Sequence, residues 1–521
     1  MHSERVLVVG AGIGGLVTAV ELASRGEDVM LLERADGPGG KMREVQVDDR
    51  RLDAGPTVLT MRWVFDELFD AVGATSGEQL SLRRSRTLAR HAWSSDGLVP
   101  ARLDLFTDLE QSVQAIGEFA GAADARGYRE FCVRAQRVYQ TLEHSFLRAS
   151  RPNPLTLAGR VGLRRLPDLA RISPFSTLWD ALGQHFRDPR LRQLFGRYAT
   201  YCGSSPFTAP ATLMLVAHVE REGVWLVDGG MHQIARTLAA MALRRGASIR
   251  YGTHVNRIRL RAGRVCGVDL ASGETLDARA VVFNGDVGAL ADGLLGDDTR
   301  GAVRRQPRAS RSLSAVTWNL VAQTSGLALL RHNVFFSNDY AAEFDQLCVR
   351  SRLPTDPTVY VCAQDRTDDS DAVPPERERL LCIVNAPPTG DGPEINRTEL
   401  AKCEERTFLR LSRCGLQVQR HPGNTLRTTQ ANFERLFPAT GGALYGQASQ
   451  GWRAAFTRPC SRSQIPGLYL TGGSVHPGPG VPMAALSGRL AAASLLQDAA
   501  QRRVSTTQSA AVATHGGIST P

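Results

Sequence analysis

The chain has 521 residues, 42% of them hydrophobic and 22% charged, enough apolar material for two packed cores, which excludes a disordered or fibrous protein. Its net charge of +10 comes with no recognisable nucleic-acid-binding motif, so nucleic acid is set aside as a partner. Nine cysteines, an odd number without a C-x-x-C pair, and eleven histidines without H-x-x-x-H or H-E-x-x-H spacing predict reduced thiols and no metal site.

Arg5 to Val9 is a short apolar, β-branched run that reads as a buried parallel strand. Gly10, Gly12 and Gly15 follow as G-x-G-x-x-G. The first allows a tight turn, the second lets backbone approach a pyrophosphate, and the third lets a helix pack on the strand. The N-terminus of that helix offers unpaired N–H groups and a positive dipole end to phosphate. Gly26 suits the helix end, and the next strand, Val29 to Leu32, runs into Glu33. Glu33 lies 21 residues beyond Gly12, where a carboxylate accepts both hydroxyls of a ribose. Gly39, Gly40 and Lys41 come next, and the lysine charge has two readings: a partner for the pyrophosphate or a solvated loop cation. Residues 6–20 could pass for a signal-peptide core, but the glycine fingerprint lies inside them and no clear basic leader precedes them.

Between Arg148 and Arg197 ten arginines and three aspartates are interleaved with Leu155, Leu157, Val161, Leu163, Leu166, Leu169, Ile172, Phe175, Leu178 and Trp179. Such a stretch could lie on an anionic membrane surface, or form an amphipathic helical region with a solvated face. Residues 228–246 read as a glycine turn and helix. Strand-like pieces follow at 248–252, 255–260, 264–270 and 275–286, with Gly263 and Gly273 in the turns, as a β-meander would have them.

Residues 468–492 repeat the pattern of strand, glycine turn and helix more than 400 residues after the first. A nicotinamide-type domain is usually contiguous, whereas one large class of flavin enzymes closes its cofactor site with the C-terminal segment, so the split predicts a flavoprotein. Residues 464–488 lack Asp, Glu, Lys and Arg, yet six glycines and four prolines argue against a spanning helix. Residues 499–521 read as a disordered tail. A cytoplasmic protein without a transmembrane anchor is expected.

The fingerprint with Gly39-Gly40-Lys41, DAGPTVLTM (53–61), the central helix-and-meander block and GGSVHPGPGVPMAALSG (472–488) together resemble bacterial carotenoid desaturases of the phytoene-desaturase type. GPTVLTMRWVFDELF (55–69), LFGRYATYCGSSP (194–206), FNGDVGALADGLLG (283–296), HNVFFSNDYAAEF (332–344) and VYVCAQDR (359–366) are most similar to 1-hydroxycarotenoid 3,4-desaturases. The resemblance implies an α/β fold with a Rossmann-like FAD-binding domain of the glutathione-reductase and amine-oxidase type, built from segments 1–87, 228–289 and 456–498. It also implies a helical substrate and membrane-facing region at 88–227 and an α+β substrate-binding region at 290–455.

The implied reaction oxidises an acyclic C40 polyene with a 1-hydroxy or 1-methoxy end, adding a C3–C4 double bond. The implied partners are FAD, the carotenoid, the surface of the inner photosynthetic membrane, and a quinone or oxygen as final electron acceptor. By the same resemblance Gly10, Gly12, Gly15 and Glu33 hold the ADP half, Val255 sets its backbone against the adenine, and Gly472 and Gly473 approach the ribityl-phosphate region. Gly55, Pro56 and Thr57 lie beside the isoalloxazine ring. Val481, Pro482 and Met483 open the last helix, with the N–H near Met483 facing the flavin N1–C2=O edge. Val255 has the alternative reading of an ordinary strand residue, and His476 that of a structural loop histidine rather than a proton acceptor. A polar group near the end of an apolar tunnel would recognise the tertiary hydroxyl. Three other readings stay open: an earlier desaturation or an isomerisation on the same scaffold, an amine oxidase, and a prenyl-binding escort protein without redox chemistry. The C-terminal motif lacks the flanking aromatic residues of an amine oxidase, and an escort protein has no need of the intact glycines and Glu33.

Overall fold

The computed structural model describes residues 4–94, 100–150, 175–367, 375–451 and 453–515. A five-stranded parallel sheet is assembled from distant stretches of chain in the order Leu468–Leu470, Ala280–Phe283, Val6–Val9, Val29–Leu32 and Ser248–Arg250. All but the edge strand Ser248–Arg250 are near-continuous apolar runs, because both of their faces are covered. Alternation sorts their side chains. Val6, Val8, Leu31, Val282 and Tyr469 pack on one side with helices Ile13–Ala23, His232–Arg244 and the start of Val481–His515. Leu7, Leu32, Val281, Phe283, Leu468 and Leu470 pack on the other with the three-stranded antiparallel meander Val255–Arg261, Arg264–Leu270 and Thr275–Asp277.

The predicted meander therefore loses its first piece. Ser248–Arg250 pairs in parallel with Val29–Leu32 at the edge of the main sheet, because the preceding helix already returns the chain to that edge as a crossover should. Gly263 and Gly273 do occupy left-handed turns, at φ 73° and 89°. The tail expected to be disordered from residue 499 instead continues the last helix to His515, where runs of alanine with glutamine and arginine favour that conformation. Residues 516–521 lie outside the described residues.

A second, mixed sheet of eight strands is built from residues 87–106 and 314–428. Its strand His332–Phe336 runs parallel to Thr87–Trp93 and antiparallel to Val359–Ala363. Trp318, Phe335, Val361 and Cys382 pack against Leu411 and Phe408 of helix Arg397–Arg413. Val334 and Phe336, one residue on each side of Phe335, face a helical cluster around Phe131, Leu194 and Phe195. The two sheets are tied together through Asp53. Its backbone N–H donates to Gln364 Oε1 at 2.9 Å, and its carbonyl accepts from Asn319 Nδ2 and Gln364 Nε2 at 3.0 and 2.9 Å.

Most of the arginine-rich stretch, including Leu155, Leu157, Val161, Leu163, Leu166, Leu169 and Ile172, lies outside the described residues. Four of its described arginines make internal contacts: Arg148 on Glu67, Glu143 and the Trp63 ring, Arg190 on Asp188 and Phe119, Arg192 on Trp179, and Arg197 on Tyr201 and Tyr360. Among the described residues no helix is long and apolar enough to cross a membrane.

In the mixed sheet Arg366 grips Glu378 with two hydrogen bonds of 2.7 and 3.0 Å, and the two side chains are 7% and 1% exposed. Removing one partner leaves a buried charge unpaired. Arg366→Met is expected to cost about 3–5 kcal/mol, read as a fall in the urea midpoint of unfolding.

Candidate functional site

The fingerprint turn joins strand Val6–Val9 to helix Ile13–Ala23, with Gly10 at φ 103°. Beneath it sits Asn284, directly after strand Ala280–Phe283, donating through Nδ2 to the Thr471 carbonyl at 3.2 Å. A Cβ at Gly12 would lie 2.7 Å from Asn284 Oδ1, one at Gly14 2.9 Å from Asn284 Nδ2, one at Gly15 3.0 Å from Oδ1 and one at Gly472 2.9 Å from Nδ2. Four glycines from two ends of the chain thus close around one asparagine from its middle. Asn284 and Asp53 carry no role that the sequence alone displays, since neither residue type advertises itself beside the glycines.

Glu33 stands at the rim of the same turn, 8% exposed. Its Oε2 accepts from the Ala11 N–H at 2.6 Å and its Oε1 from the Ala35 N–H at 2.8 Å. Each oxygen keeps a further lone-pair direction, so the carboxylate is fixed in place while still able to accept from a ligand. The Thr253 N–H donates to the Glu33 carbonyl at 2.8 Å, which brings the buried Val255 to the side of the acid. Gly39 closes over the turn, its N–H donating to the Ala11 carbonyl at 2.8 Å, and a Cβ on Gly40 would lie 3.2 Å from the Gly12 Cα.

Lys41 is not the solvated cation of the second reading. Its Nζ donates to the Leu444 carbonyl at 2.7 Å and lies 5.4 Å from the centre of the Phe437 ring, and burial lowers its pKa from the ordinary lysine value. Asp53 accepts from the Met231 and His232 N–H groups at 2.8 and 3.1 Å, capping helix His232–Arg244. Gly55, Pro56 and Thr57 follow it, and Thr57 Oγ1 is hydrogen-bonded to the Tyr360 hydroxyl at 2.7 Å.

At the C-terminal end, Ser487 holds the glycine turn in shape. Its Oγ accepts from the Gly472 N–H at 2.8 Å and lies 2.9 Å from Thr471 Oγ1. Arg458 Nη1 donates to the Gly473 carbonyl at 3.1 Å. The last helix begins at Val481, so Pro482 and Met483 fall in its first turn, where a missing proline N–H costs nothing. His476 is buried, with the edge of the Phe146 ring against it at 5.0 Å.

A buried polar cluster beside Thr57 carried no signal in the sequence, because its members come from five unrelated stretches. Glu220 accepts from the Tyr198 and Tyr201 hydroxyls at 2.9 and 2.6 Å, and burial raises its pKa. Tyr360 lies 2.8 Å from His332 Nδ1. Burial, followed by the charge of Arg197, pushes the pKa of His91 down to about 3, and burial with Arg331 and Arg197 does the same to His332. These residues border a cavity of about 20 Å³ walled by Val58, Leu88 and Val334. Among the described residues no group of three or more His, Cys, Asp or Glu is placed to hold a metal ion.

Residues 13–496 match the family of flavin-containing amine oxidoreductases. The chain belongs to that family. It is 54% identical over 523 residues to a hydroxyneurosporene desaturase of Rubrivivax gelatinosus, covering 100% of this chain and 98% of that one. Against a hydroxyneurosporene desaturase of Cereibacter sphaeroides it is 45% identical, covering 96% and 98%. A putrescine oxidase structure shares the fold with a TM-score of 0.60 at 14% identity, covering 95% of this chain and 99% of that one. The protein is an FAD-dependent oxidoreductase, and its residues fit the cofactor. The fingerprint turn has no room for side chains beyond glycine, a carboxylate is anchored at its rim, and a buried Asn284 Oδ1 lies beside it without a hydrogen-bond partner.

A Cβ on Gly15 would overlap the Gly10 carbonyl oxygen, whereas one on Gly37 meets nothing within 4 Å. Gly15→Ala is expected to purify with less than about a tenth of the wild-type flavin, and Gly37→Ala with the full amount, measured as flavin absorbance per protein; a tenfold change corresponds to about 1.4 kcal/mol.

Proposed function

We propose that the protein is an FAD-dependent carotenoid desaturase that introduces the C3–C4 double bond into acyclic 1-hydroxy or 1-methoxy carotenoids, such as 1-hydroxyneurosporene or rhodopin. The products belong to spheroidene and spirilloxanthin pigment synthesis. The observation that carries this reading is the 54% identity to a hydroxyneurosporene desaturase across the whole chain.

When bound, FAD supplies the hydride acceptor that removal of two hydrogens from neighbouring carbons requires. Gly10, Gly12 and Gly15 hold the pyrophosphate against the N-terminus of helix Ile13–Ala23, with Gly39 and Gly40 closing over them. Glu33 accepts the ribose hydroxyls, and the Val255 backbone borders the adenine. Lys41, engaged with Leu444, adds positive potential near the phosphates. Gly472 and Gly473 flank the ribityl phosphate, and Pro56 and Thr57 flank the ring. The first turn of the last helix, Val481 to Met483, would border the flavin and offer it the backbone N–H groups of Val481 and Met483 together with the positive end of the helix dipole.

The segments outside the nucleotide sheet form the substrate region, 88–227 and 290–455, and exclude water from the reacting carbons. A long hydrocarbon is held there by burial, at roughly 25 cal/mol per Å². The arginine-rich stretch 148–197 supports a cytoplasmic protein held peripherally on the inner photosynthetic membrane. A quinone or oxygen takes up the electrons.

With FAD and liposomes, 1-hydroxyneurosporene is expected to lose two hydrogens and shift its absorption to the red, while phytoene and neurosporene stay unchanged. Conversion of phytoene or neurosporene instead would move the enzyme to an earlier desaturation step.

A further inference from the structure

Resting on the reaction and ring placement proposed above, the chemistry of the substrate locates its own recognition site. The carbon whose hydride leaves is C4, beside the polyene, where the developing positive charge is delocalised. The C1 oxygen is only three carbon–carbon bonds and one carbon–oxygen bond away from it. A group that recognises that oxygen therefore stands next to the flavin ring.

Beside Thr57 lies an arrangement of this kind. Thr57 Oγ1 and the Tyr360 hydroxyl are 2.7 Å apart, and that hydroxyl is 2.8 Å from His332 Nδ1, with the two rings stacked at 6.2 Å. The chain of bonds fixes the imidazole by one nitrogen. The other, Nε2, is buried without a hydrogen-bond partner in a residue only 3% exposed, and the ring borders the cavity of about 20 Å³. That volume takes one water-sized group, the size of a hydroxyl. The neighbouring polar groups are already engaged: both Glu220 oxygens accept from tyrosines, and the Arg197 guanidinium lies on the Tyr201 and Tyr360 rings at 5.4 and 5.3 Å. Burial keeps the imidazole neutral, so it offers either a donor or an acceptor according to its tautomer. A tertiary alcohol satisfies both.

We propose that His332, positioned by Tyr360 and Thr57, hydrogen-bonds the C1 oxygen of the substrate and sets the preference for 1-hydroxylated chains. A site built around a hydrogen bond discriminates strongly against an analogue that lacks the partner, because the buried nitrogen is then left unpaired.

The test compares 1-hydroxyneurosporene with 1,2-dihydroneurosporene, which lacks only the oxygen, on FAD-loaded enzyme in liposomes. Wild type is expected to favour the hydroxylated chain by about 100-fold or more in kcat/KM. His332→Leu should cut that ratio at least tenfold, with the loss falling on the hydroxylated substrate. His332→Gln, which keeps a hydrogen-bonding group, should recover part of it. Flavin absorbance per protein reports whether each variant is intact. If His332→Leu loses flavin, Tyr360→Phe carries the test with a several-fold smaller ratio expected. An unchanged ratio in flavin-loaded variants, or an equal loss on both substrates, overturns the proposal. If wild type converts neither substrate, the reaction assignment has failed instead. Quenching of tryptophan fluorescence by the two chains then decides the role of His332, with an equal affinity difference in wild type and His332→Leu counting against it.

Discussion

Asn284 is the point at which the molecule is joined. It follows strand Ala280–Phe283 of the parallel sheet, packs against Gly12, Gly14 and Gly15 of the first segment, and donates to the Thr471 carbonyl of the last. A side chain on any of those glycines would push the asparagine away and separate the fingerprint turn from the C-terminal glycine turn. The same close approach continues along the helices. A Cβ on Gly488 would overlap the Gly14 carbonyl, and the single proton of the Thr18 hydroxyl is shared between the Gly14 and Gly488 carbonyl oxygens, at 2.8 and 3.1 Å. Arg489, one residue on, reaches Glu21 at 3.1 Å and Glu67 at 2.9 Å, so the last helix is locked to the first by backbone proximity and by charge.

That joint places the nucleotide site against a second sheet that buries polar residues, among them Asn319, His332, Asn333 and Gln364. Asp53 makes the connection, capping helix His232–Arg244 with its carboxylate and holding Asn319 and Gln364 through its backbone. Desolvation raises its pKa, and the two N–H donors act in the opposite direction by favouring the charged form. Just beyond it, Thr57 carries the hydrogen-bond chain to Tyr360 and His332. Affinity and specificity then have different sources. Hydrocarbon burial scales with area and favours any long polyene, whereas a single hydrogen bond contributes only about 1 kcal/mol to binding but makes its absence costly.

The glycine fingerprint, Glu33 and the proline in the first turn of the last helix were legible because each reflects a local rule: a tight turn, a fixed distance along a βαβ unit, a missing N–H. Glu33 also showed something the spacing did not contain, namely that Ala11 and Ala35 already hold it. Asn284, Ser487 and the His332–Tyr360 pair were not legible, since they act through neighbours tens or hundreds of residues away. Ser248–Arg250 was assigned to the meander because short apolar runs carry no mark of which sheet they join. The C-terminal helix was missed because polar, alanine-containing sequence is compatible with both a coil and a helix. The engaged arginines at 148, 190, 192 and 197 show how a charge-rich stretch can turn much of its charge inward.

The most direct test of this arrangement is a crystal structure of the protein with FAD bound. The account predicts the pyrophosphate within hydrogen-bonding distance of the N–H groups opening helix Ile13–Ala23, the ribose hydroxyls on Glu33, and Asn284 still bridging the fingerprint turn to Thr471. A flavin seated with its ribose away from Glu33, or an Asn284 displaced from Thr471 by the cofactor, would contradict it.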